Sequence, residues 1–372
     1  MPEQSHPLVR FLDEQGALTS SEANESCAEY AAEVDEQLLR RCYEEMVLAR
    51  SFDSSAAALQ RQGELALWVP NIGQEGCQVG AALALRDQDW VVPSYRELAI
   101  ARIRGVPWQD IIALFRGTSH GAWDWRATRF HQYTLVIGAQ ASHGVGFAWG
   151  RALDGASGHG DREHDEAVLT CFGDGATSEG AVSEAMVFAA SFSTPNVFLC
   201  QNNGWAISVP SSVQASAPLA KRARGFGLAA YRVDGNDPIA VYAAVRSLMD
   251  RARKGEGPGF VEAVTFRMGA HTSSDDPTKY RDDDIVQRWA RRDPILRVRR
   301  RLIALGCGQE FFSEVDDRAA EEASQLRSGI RALPDPESMD MFRNVYTEPH
   351  PLVEAEAQWM REYLAEEEAH HG

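Results

Sequence analysis

Ala167-Val168-Leu169-Thr170-Cys171-Phe172-Gly173-Asp174-Gly175-Ala176-Thr177-Ser178-Glu179-Gly180 is the stretch that decides the fold, together with Asn196-Val197-Phe198-Leu199-Cys200-Gln201-Asn202-Asn203. The first apolar run reads as a strand that delivers Gly173-Asp174-Gly175 to its carboxyl end. Thr177 and Ser178 are candidate caps for a helix over 180–192, and a second strand-like run ends at Asn202-Asn203. In a parallel βαβ unit both strand ends lie side by side, so Asp174 and Asn203 reach one edge of the sheet. A carboxylate, an amide oxygen and glycines that admit close backbone approach suit a hard cation carrying a diphosphate. Magnesium takes one or two protein ligands and fills its octahedron with phosphate oxygens and water.

The 372 residues carry 37 basic against 54 acidic side chains, a net charge of −17. That balance argues against a nucleic-acid partner held by a broad basic surface. A diphosphate therefore needs a local positive site. Six cysteines, at 27, 42, 77, 171, 200 and 307, show neither CxxC pairing nor metal-ligand spacing, which suits a reducing, cytoplasmic setting. The amino terminus has no secretory pattern, and no segment approaches the roughly 18 apolar residues of a membrane span.

Residues 1–34 read as a polar, loosely ordered arm. An amphipathic helix is expected over 35–62, a second helix after the turn at 70–76, and a strand over 90–93 ending at Ser94-Tyr95-Arg96-Glu97. Residues 150–162 read as a small-residue loop. Further strands over 231–233 and 258–266 bracket a helix over 238–254. Beyond 282 the chain is charged and helical. Residues 35–330 are thus expected as one α/β domain, a mainly parallel sheet with helices on both faces, and 331–372 as a helical C-terminal segment packed on it.

Seven strings, NIGQEG (71–76), PSYRE (93–97), IGAQ (137–140), GDGATSEG (173–180), QNNGWAIS (201–208), VDGND (233–237) and GAHTSSDDPTKYR (269–281), extend the pattern. GDG, twenty-six residues (176–201) and Asn-Asn resembles the thiamine-diphosphate motif. The strings together, over roughly residues 35–350, resemble the alpha subunit of the decarboxylating component of 2-oxo acid dehydrogenase complexes. The resemblance implies the thiamine-diphosphate-binding fold, with thiamine diphosphate and Mg2+ as cofactors. It makes Asp174, Asn203 and the carbonyl of Trp205 the metal ligands, and sets the backbone of Gly175 and Ala176 against the diphosphate at the following helix. Taken singly, Asp174 could also cap a helix and Asn203 close a turn.

Tyr95 and Arg96 resemble the family's pair that reaches the diphosphate, although Arg96 alone would read as an ion-pair partner of Glu97 or Glu75. His271 matches the histidine of the family's active-site loop, which contacts the diphosphate, lines the path of the second substrate and is the catalytic candidate. Arg267, Tyr280 and Arg281 are expected to hold that loop, and Thr272 and Ser273 fall where animal relatives carry a regulatory phosphorylation site. Leu135 and Ile137 match positions beside the thiazolium ring, with core packing an equal reading.

Two departures stand out. Gln201 occupies a place where branched-chain relatives carry an arginine, which leaves Arg96, His271 or Arg267 to supply the charge. Trp205 replaces a frequent tyrosine.

The chain has one diphosphate-type domain and no second domain of like size. The resemblance implies that a pyrimidine-binding glutamate comes from a beta subunit, in an α2β2 heterotetramer that decarboxylates a 2-oxo acid and reductively acylates the lipoyl group of an acyltransferase component. VDGND and SDDPTKYR lean towards a branched-chain acid, whereas IGAQ is similar to pyruvate enzymes. Acetoin, or a noncatalytic cofactor-binding subunit, are the other readings. A magnesium phosphohydrolase lacks any nucleophile motif or Walker-type loop here.

Overall fold

The computed structural model describes residues 8–119, 121, 123–335 and 337–371. Its centre is a five-stranded, wholly parallel sheet in the order β1-β2-β3-β7-β6, formed by β1 (Trp90–Val92), β2 (Val168–Gly173), β3 (Asn196–Asn202), β6 (Ala229–Asp234) and β7 (Gly259–Val264). A two-stranded hairpin, β4 (Trp205–Ala206) with β5 (Val209–Pro210), follows β3 directly. The main helices are α1 (Glu36–Arg61), α2 (Glu75–Leu83), α3 (Ala139–Leu153), α4 (Gly180–Ser191), α5 (Pro238–Arg253), α6 (Pro294–Ala304), α7 (Gln309–Arg331) and α8 (Pro351–His371), with shorter helices between them.

The side-chain period of two sorts the central strands onto two cores. Leu169, Cys171, Val197, Leu199, Val261 and Ala263 face α2 and α5, where Cys77, Ala81, Val241, Ala244 and Leu248 meet them. Phe172, Phe198, Cys200 and Phe260 face the other way, onto Ala141 and Val145 of α3 and Val182, Ala185 and Met186 of α4. Strands covered on both faces read as unbroken apolar runs, which is why 167–172 and 196–200 stand out in the sequence. Each such Val, Leu or Phe contributes roughly 1.5–3 kcal/mol on burial. Close approach matters at one point: a Cβ on Gly144 would lie 2.0 Å from Thr170 Oγ1, so α3 can rest on β2 only with glycine there.

Several boundaries move. The loop expected over 150–162 begins later, because α3 runs through Gly150 to Leu153. Thr177 and Ser178 do not cap α4. They belong to a 3-10 turn, Asp174–Ser178, where Thr177 Oγ1 donates to the Asp174 carbonyl (2.7 Å) and Ser178 Oγ to Gln214 Oε1 (3.1 Å). The N-cap of α4 is Glu179, which makes no side-chain capping bond.

The arm is also tighter than its polar composition suggests. Residues 1–7 lie outside the described part, but Val9 bridges Val233 in parallel and Leu12 is fully buried. Both Phe11 N and Leu12 N donate to Asp237 Oδ2 at 2.7 Å, and the Asn24 amide accepts from Arg10 N and donates to the carbonyls of Arg10 and Thr19. The segment thereby covers the otherwise open edge at β6. VDGND likewise serves the scaffold. Asp234 pairs with Arg297 (2.8 Å), Asn236 accepts from Thr265 Oγ1 (2.7 Å), and Asp237 caps α5 through Ile239 N (3.0 Å).

At the carboxyl end α7 packs along α1, burying Phe312, Val315 and Leu326. Helix α8, expected on the same domain, buries Ala357 but leaves Leu352, Trp359 and Tyr363 exposed.

Candidate active site

Register alone brings the two halves of the motif together. Gly173 of β2 pairs with Gln201 of β3, so the chain leaves both strands at the same level and Asp174 and Asn203 emerge on one edge. A cavity of about 230 Å³ opens there. Tyr95, Arg96, Ile137, Asp174, Gly175, Ala176, Asn203, Trp205 and His271 all line it. Leu135 does not. It belongs with Val136 and Ile137 to an exposed apolar segment at the rim.

Asp174 is 2 % exposed, and among the described residues no side chain hydrogen-bonds either carboxylate oxygen, so that only the backbone N–H groups of Asp174 and Asn203 favour its charged form by hydrogen bonding. Burial pushes its carboxyl up to about 6. A buried carboxylate with no side-chain partner is costly, and this one faces a cavity, which suits it to a cation. Asn203 is ordered beside it: Trp205 N donates to Asn203 Oδ1 (3.2 Å), and Asn203 Nδ2 donates to Gln74 Oε1 (3.1 Å). No cluster of three His, Cys, Asp or Glu side chains among the described residues could hold a metal by itself. One carboxylate and one amide oxygen suit a cation that completes its shell with ligand phosphate oxygens. Gly175 follows, and a Cβ there would lie 2.7 Å from the Ala206 Cβ, so the turn and the β4–β5 hairpin close on each other only over glycine.

Two buried guanidinium groups supply the positive field. Arg96 donates to Pro70 O (2.5 Å), His271 O (3.0 Å) and His271 Nδ1 (3.3 Å). Arg267 donates to His271 Nδ1 (3.0 Å), Ile207 O (2.9 Å) and Tyr280 Oη (2.9 Å). Neither is ion-paired among the described residues. The carboxylates proposed for Arg96 by sequence are occupied otherwise: Glu75 binds Arg50 (2.7 and 2.9 Å), and Glu97 accepts from the backbone N of Arg96 (3.2 Å) but not from its guanidinium. Two unpaired cations at one cavity mark an anion site in a chain of strongly negative charge.

Because guanidinium cannot accept, His271 Nδ1 must be the acceptor and the ring proton resides on Nε2. Burial, then Arg96 and Arg267, lower the imidazole to about 4. His271 is therefore a neutral donor at physiological pH. Its loop is ordered by Asp275, which accepts from His271 N (2.8 Å) and Tyr280 Oη (2.5 Å), and by Arg281, which donates to the carbonyls of Arg267, Met268 and Gly269 at 2.5, 2.8 and 3.0 Å. Ser273 N donates to Trp68 O (2.8 Å), and Trp68 N to Ser273 Oγ (3.1 Å). The 68–72 turn is anchored in turn by Asp53, which accepts from Trp68 Nε1 (2.8 Å), Asn71 N (3.0 Å) and Ile72 N (2.9 Å).

Gln201 is not an empty place left by an arginine. It donates to Glu97 Oε1 (2.6 Å) and accepts from Gln78 Nε2 (2.9 Å), in a buried relay that Ser94 Oγ joins at 2.9 Å from Glu97 Oε2. The second cation of the cavity is Arg267. Sequence reasoning passed over Gln74, Glu97, Gln140 and Ile207 as lining residues. Gln74 and Gln140 sit inside the motif strings, but nothing in a string tells which amide faces a cavity. Ile207 carries φ +52°, an uncommon conformation for a β-branched residue, and presents its carbonyl to Arg267.

Residues 43–325 match the Dehydrogenase E1 component family. The chain is 44 % identical over 339 residues to a Mycobacterium tuberculosis protein named 3-methyl-2-oxobutanoate dehydrogenase subunit alpha, covering 90 % of each chain. It is 34 % identical over 336 residues to the pyruvate dehydrogenase E1 component subunit alpha of Acholeplasma laidlawii, covering 88 % of this chain and 94 % of the relative. Identity to the protein of that name from Bacillus subtilis is 33 % over 349 residues, covering 93 % and 90 %. That family is one of thiamine-diphosphate-dependent decarboxylases, and the parallel sheet agrees with its fold. The chain belongs to the Dehydrogenase E1 component family, as the alpha subunit of a 2-oxo acid dehydrogenase. Such subunits work with a beta subunit and a lipoyl-bearing acyltransferase component. No helix among the described residues is long and apolar enough to cross a membrane.

Proposed function

We propose that this subunit binds the magnesium-diphosphate end of thiamine diphosphate in the cavity at Asp174 and, within an α2β2 heterotetramer, acts on branched-chain 2-oxo acids. The observation that carries the site assignment is the buried Asp174 carboxylate, bonded by no side chain, in one cavity with two guanidinium groups that are not ion-paired among the described residues. Asp174 and Asn203 Oδ1, with the Trp205 carbonyl, would hold the metal. Arg96, Arg267 and the Nε2–H of His271 would neutralise and orient the diphosphate, with Tyr95 beside His271 (ring centroids 6.3 Å apart). Gly175 and Ala176 would offer backbone N–H groups at the start of the turn. When bound, thiamine diphosphate supplies the carbon nucleophile and the electron sink for decarboxylation. The residues of this chain position it, exclude water and hold a neutral proton donor at His271. Leu135 and Ile137 would lie at the rim beside the ring.

The substrate reading rests on the 44 % relative and its printed name. The exposed Ile137 and Ile207 at the cavity mouth are suited to an apolar acyl side chain. Pyruvate is the competing substrate, supported by relatives at 33–34 % identity. A beta subunit has a suitable landing face on α3 and α4, where Trp149 stacks on Phe192 (4.2 Å) and Phe188, Val187 and Leu153 stand exposed. All six cysteines are buried free thiols, in keeping with a cytoplasmic location.

The test is co-expression with a beta subunit, then decarboxylation assays with thiamine diphosphate and Mg2+ on 3-methyl-2-oxobutanoate and on pyruvate. Preference for the branched acid is expected. Preference for pyruvate replaces the substrate reading, and no turnover of either by the assembled tetramer defeats the enzymatic one.

A further inference from the structure

Gln74 stands at the N-cap position of α2, is fully buried, and makes no side-chain capping bond. Its amide is instead part of the cavity wall. The orientation of that amide follows from its neighbours. Trp205 N–H can only donate, so the Asn203 atom it meets is Oδ1. Asn203 then turns Nδ2 towards Gln74, and the Gln74 atom that accepts from it at 3.1 Å must be Oε1. Gln74 Nε2, with two hydrogens, is left without a partner among the described residues although it is inaccessible to solvent. A buried amide donor is rarely left unmade, because its desolvation is not recovered. Among the described residues the other unpartnered buried side-chain groups of this cavity wall are the Asp174 oxygens, Gln140 Oε1 and Arg267 Nε, and none of them hydrogen-bonds Gln74.

We propose that Gln74 is a further cofactor-binding residue, whose Nε2 donates to a diphosphate oxygen while its Oε1 holds Asn203 with Oδ1 turned to the metal. One amide thus serves the anion and orients a ligand of the cation. The inference rests on the thiamine-diphosphate reading of the cavity and adds to it a direct contact from α2.

Two variants separate the two roles in the α/β assembly. Gln74→Glu keeps an acceptor for Asn203 Nδ2 but has no hydrogen for the diphosphate, and Gln74→Met, of similar volume, keeps neither. Titration with thiamine diphosphate at saturating Mg2+, followed by tryptophan fluorescence from the cavity residue Trp205, gives the affinity without turnover. Inorganic pyrophosphate is titrated alongside it as a competitor. Wild-type assembly should bind both saturably, and absence of binding there defeats the underlying reading rather than the role of Gln74. The donor role predicts about tenfold weaker binding of both ligands to Gln74→Glu, and at least as large a loss in Gln74→Met, which also decides the matter if the Glu variant fails to assemble. Wild-type affinity in Gln74→Glu with a loss only in Gln74→Met would reduce Gln74 to orienting Asn203 and overturn the proposal. So would unchanged pyrophosphate affinity in both.

Discussion

Arg267 Nη1 donates to His271 Nδ1 at 3.0 Å, so a permanent cation holds the imidazole in its neutral, Nε2-protonated form. Arg96 does the same from the other side at 3.3 Å. With the ring lowered to about 4 from an ordinary 6.5, the folded chain binds fewer protons than the unfolded chain between those values. This residue's contribution therefore makes stability fall as pH drops through that window. Replacing Arg267 by Gln should move the His271 titration up towards 6.5, as read by NMR of the ring nitrogens. A wild-type ring that titrates above 6, or carries its proton on Nδ1, would refute this arrangement.

Asp174 titrates in the opposite sense. Its folded value of about 6 against an ordinary 3.8 means that the empty site takes up a proton below about pH 6. Metal binding must displace that proton, so the Mg2+ concentration for half-saturation should rise about tenfold per pH unit below 6 and be flat above it. Asp174→Asn should remove the pH dependence along with most of the metal affinity. A flat profile in the wild type would mean that the metal is held elsewhere.

The strands that carry the site were legible because parallel strands buried on both faces give unbroken apolar runs, as at 167–172 and 196–200. Asp174 and Asn203 were legible because they follow such runs directly, and His271, seven residues beyond β7, because its loop matches the family's string. Gln201 was readable only as a missing arginine, since its partners Glu97 and Gln78 lie 104 and 123 residues away in the chain. The arm at 8–34 misled for a related reason. Its anchors are few, Val9, Leu12 and Asn24, and each works through a distant backbone or carboxylate that composition does not reveal.

The Gln201 relay makes a quantitative prediction. Glu97 is fully buried, and burial raises its carboxyl above the usual range despite Ser94, Gln201 and the Arg96 N–H. Gln201→Met would take from Glu97 Oε1 its short bond from Gln201 and leave it only Ser94 Oγ (3.0 Å), while Gln78 Nε2 keeps Asn71 Oδ1 and Arg96 O, so the cost is that of one buried hydrogen bond to a carboxylate, about 1–3 kcal/mol. Denaturant unfolding should register a loss of about 1–3 kcal/mol. A loss under 0.5 kcal/mol would mean that the relay is slack.

Asp53 lies outside the cavity yet holds the turn on which Arg96 and the His271 loop both rest. The turn it grips through three N–H donors offers Pro70 O to Arg96 and clamps Ser273 of the His271 loop. Asp53→Asn confronts one of those donors with an NH2 group. It should lower stability by about 2 kcal/mol and speed proteolytic cleavage of the loop at 269–281. Asp53→Ala should cost more. Unchanged cleavage in a destabilised variant would limit Asp53 to a packing role.

Gly146 and Gly150 lie on the exposed side of α3, and a Cβ at either would meet nothing within 4 Å. Within this chain alone glycine there has no steric reason, and in a helix interior it costs roughly 0.5–1 kcal/mol relative to alanine. Four residues apart on one face beside Trp149, Phe188 and Phe192, the two glycines leave room for another backbone to come close. If the beta subunit packs there, one substitution should act with opposite signs on chain and complex. Gly146→Leu should hold or raise the melting temperature of the isolated chain, because the helix gains propensity and nothing in the chain is displaced. Co-purification with the beta subunit should fall sharply, because the close approach is blocked. Full assembly of Gly146→Leu would place the subunit contact on another face, whereas a lower melting temperature of the isolated chain would mean that the glycine serves this fold rather than its partner.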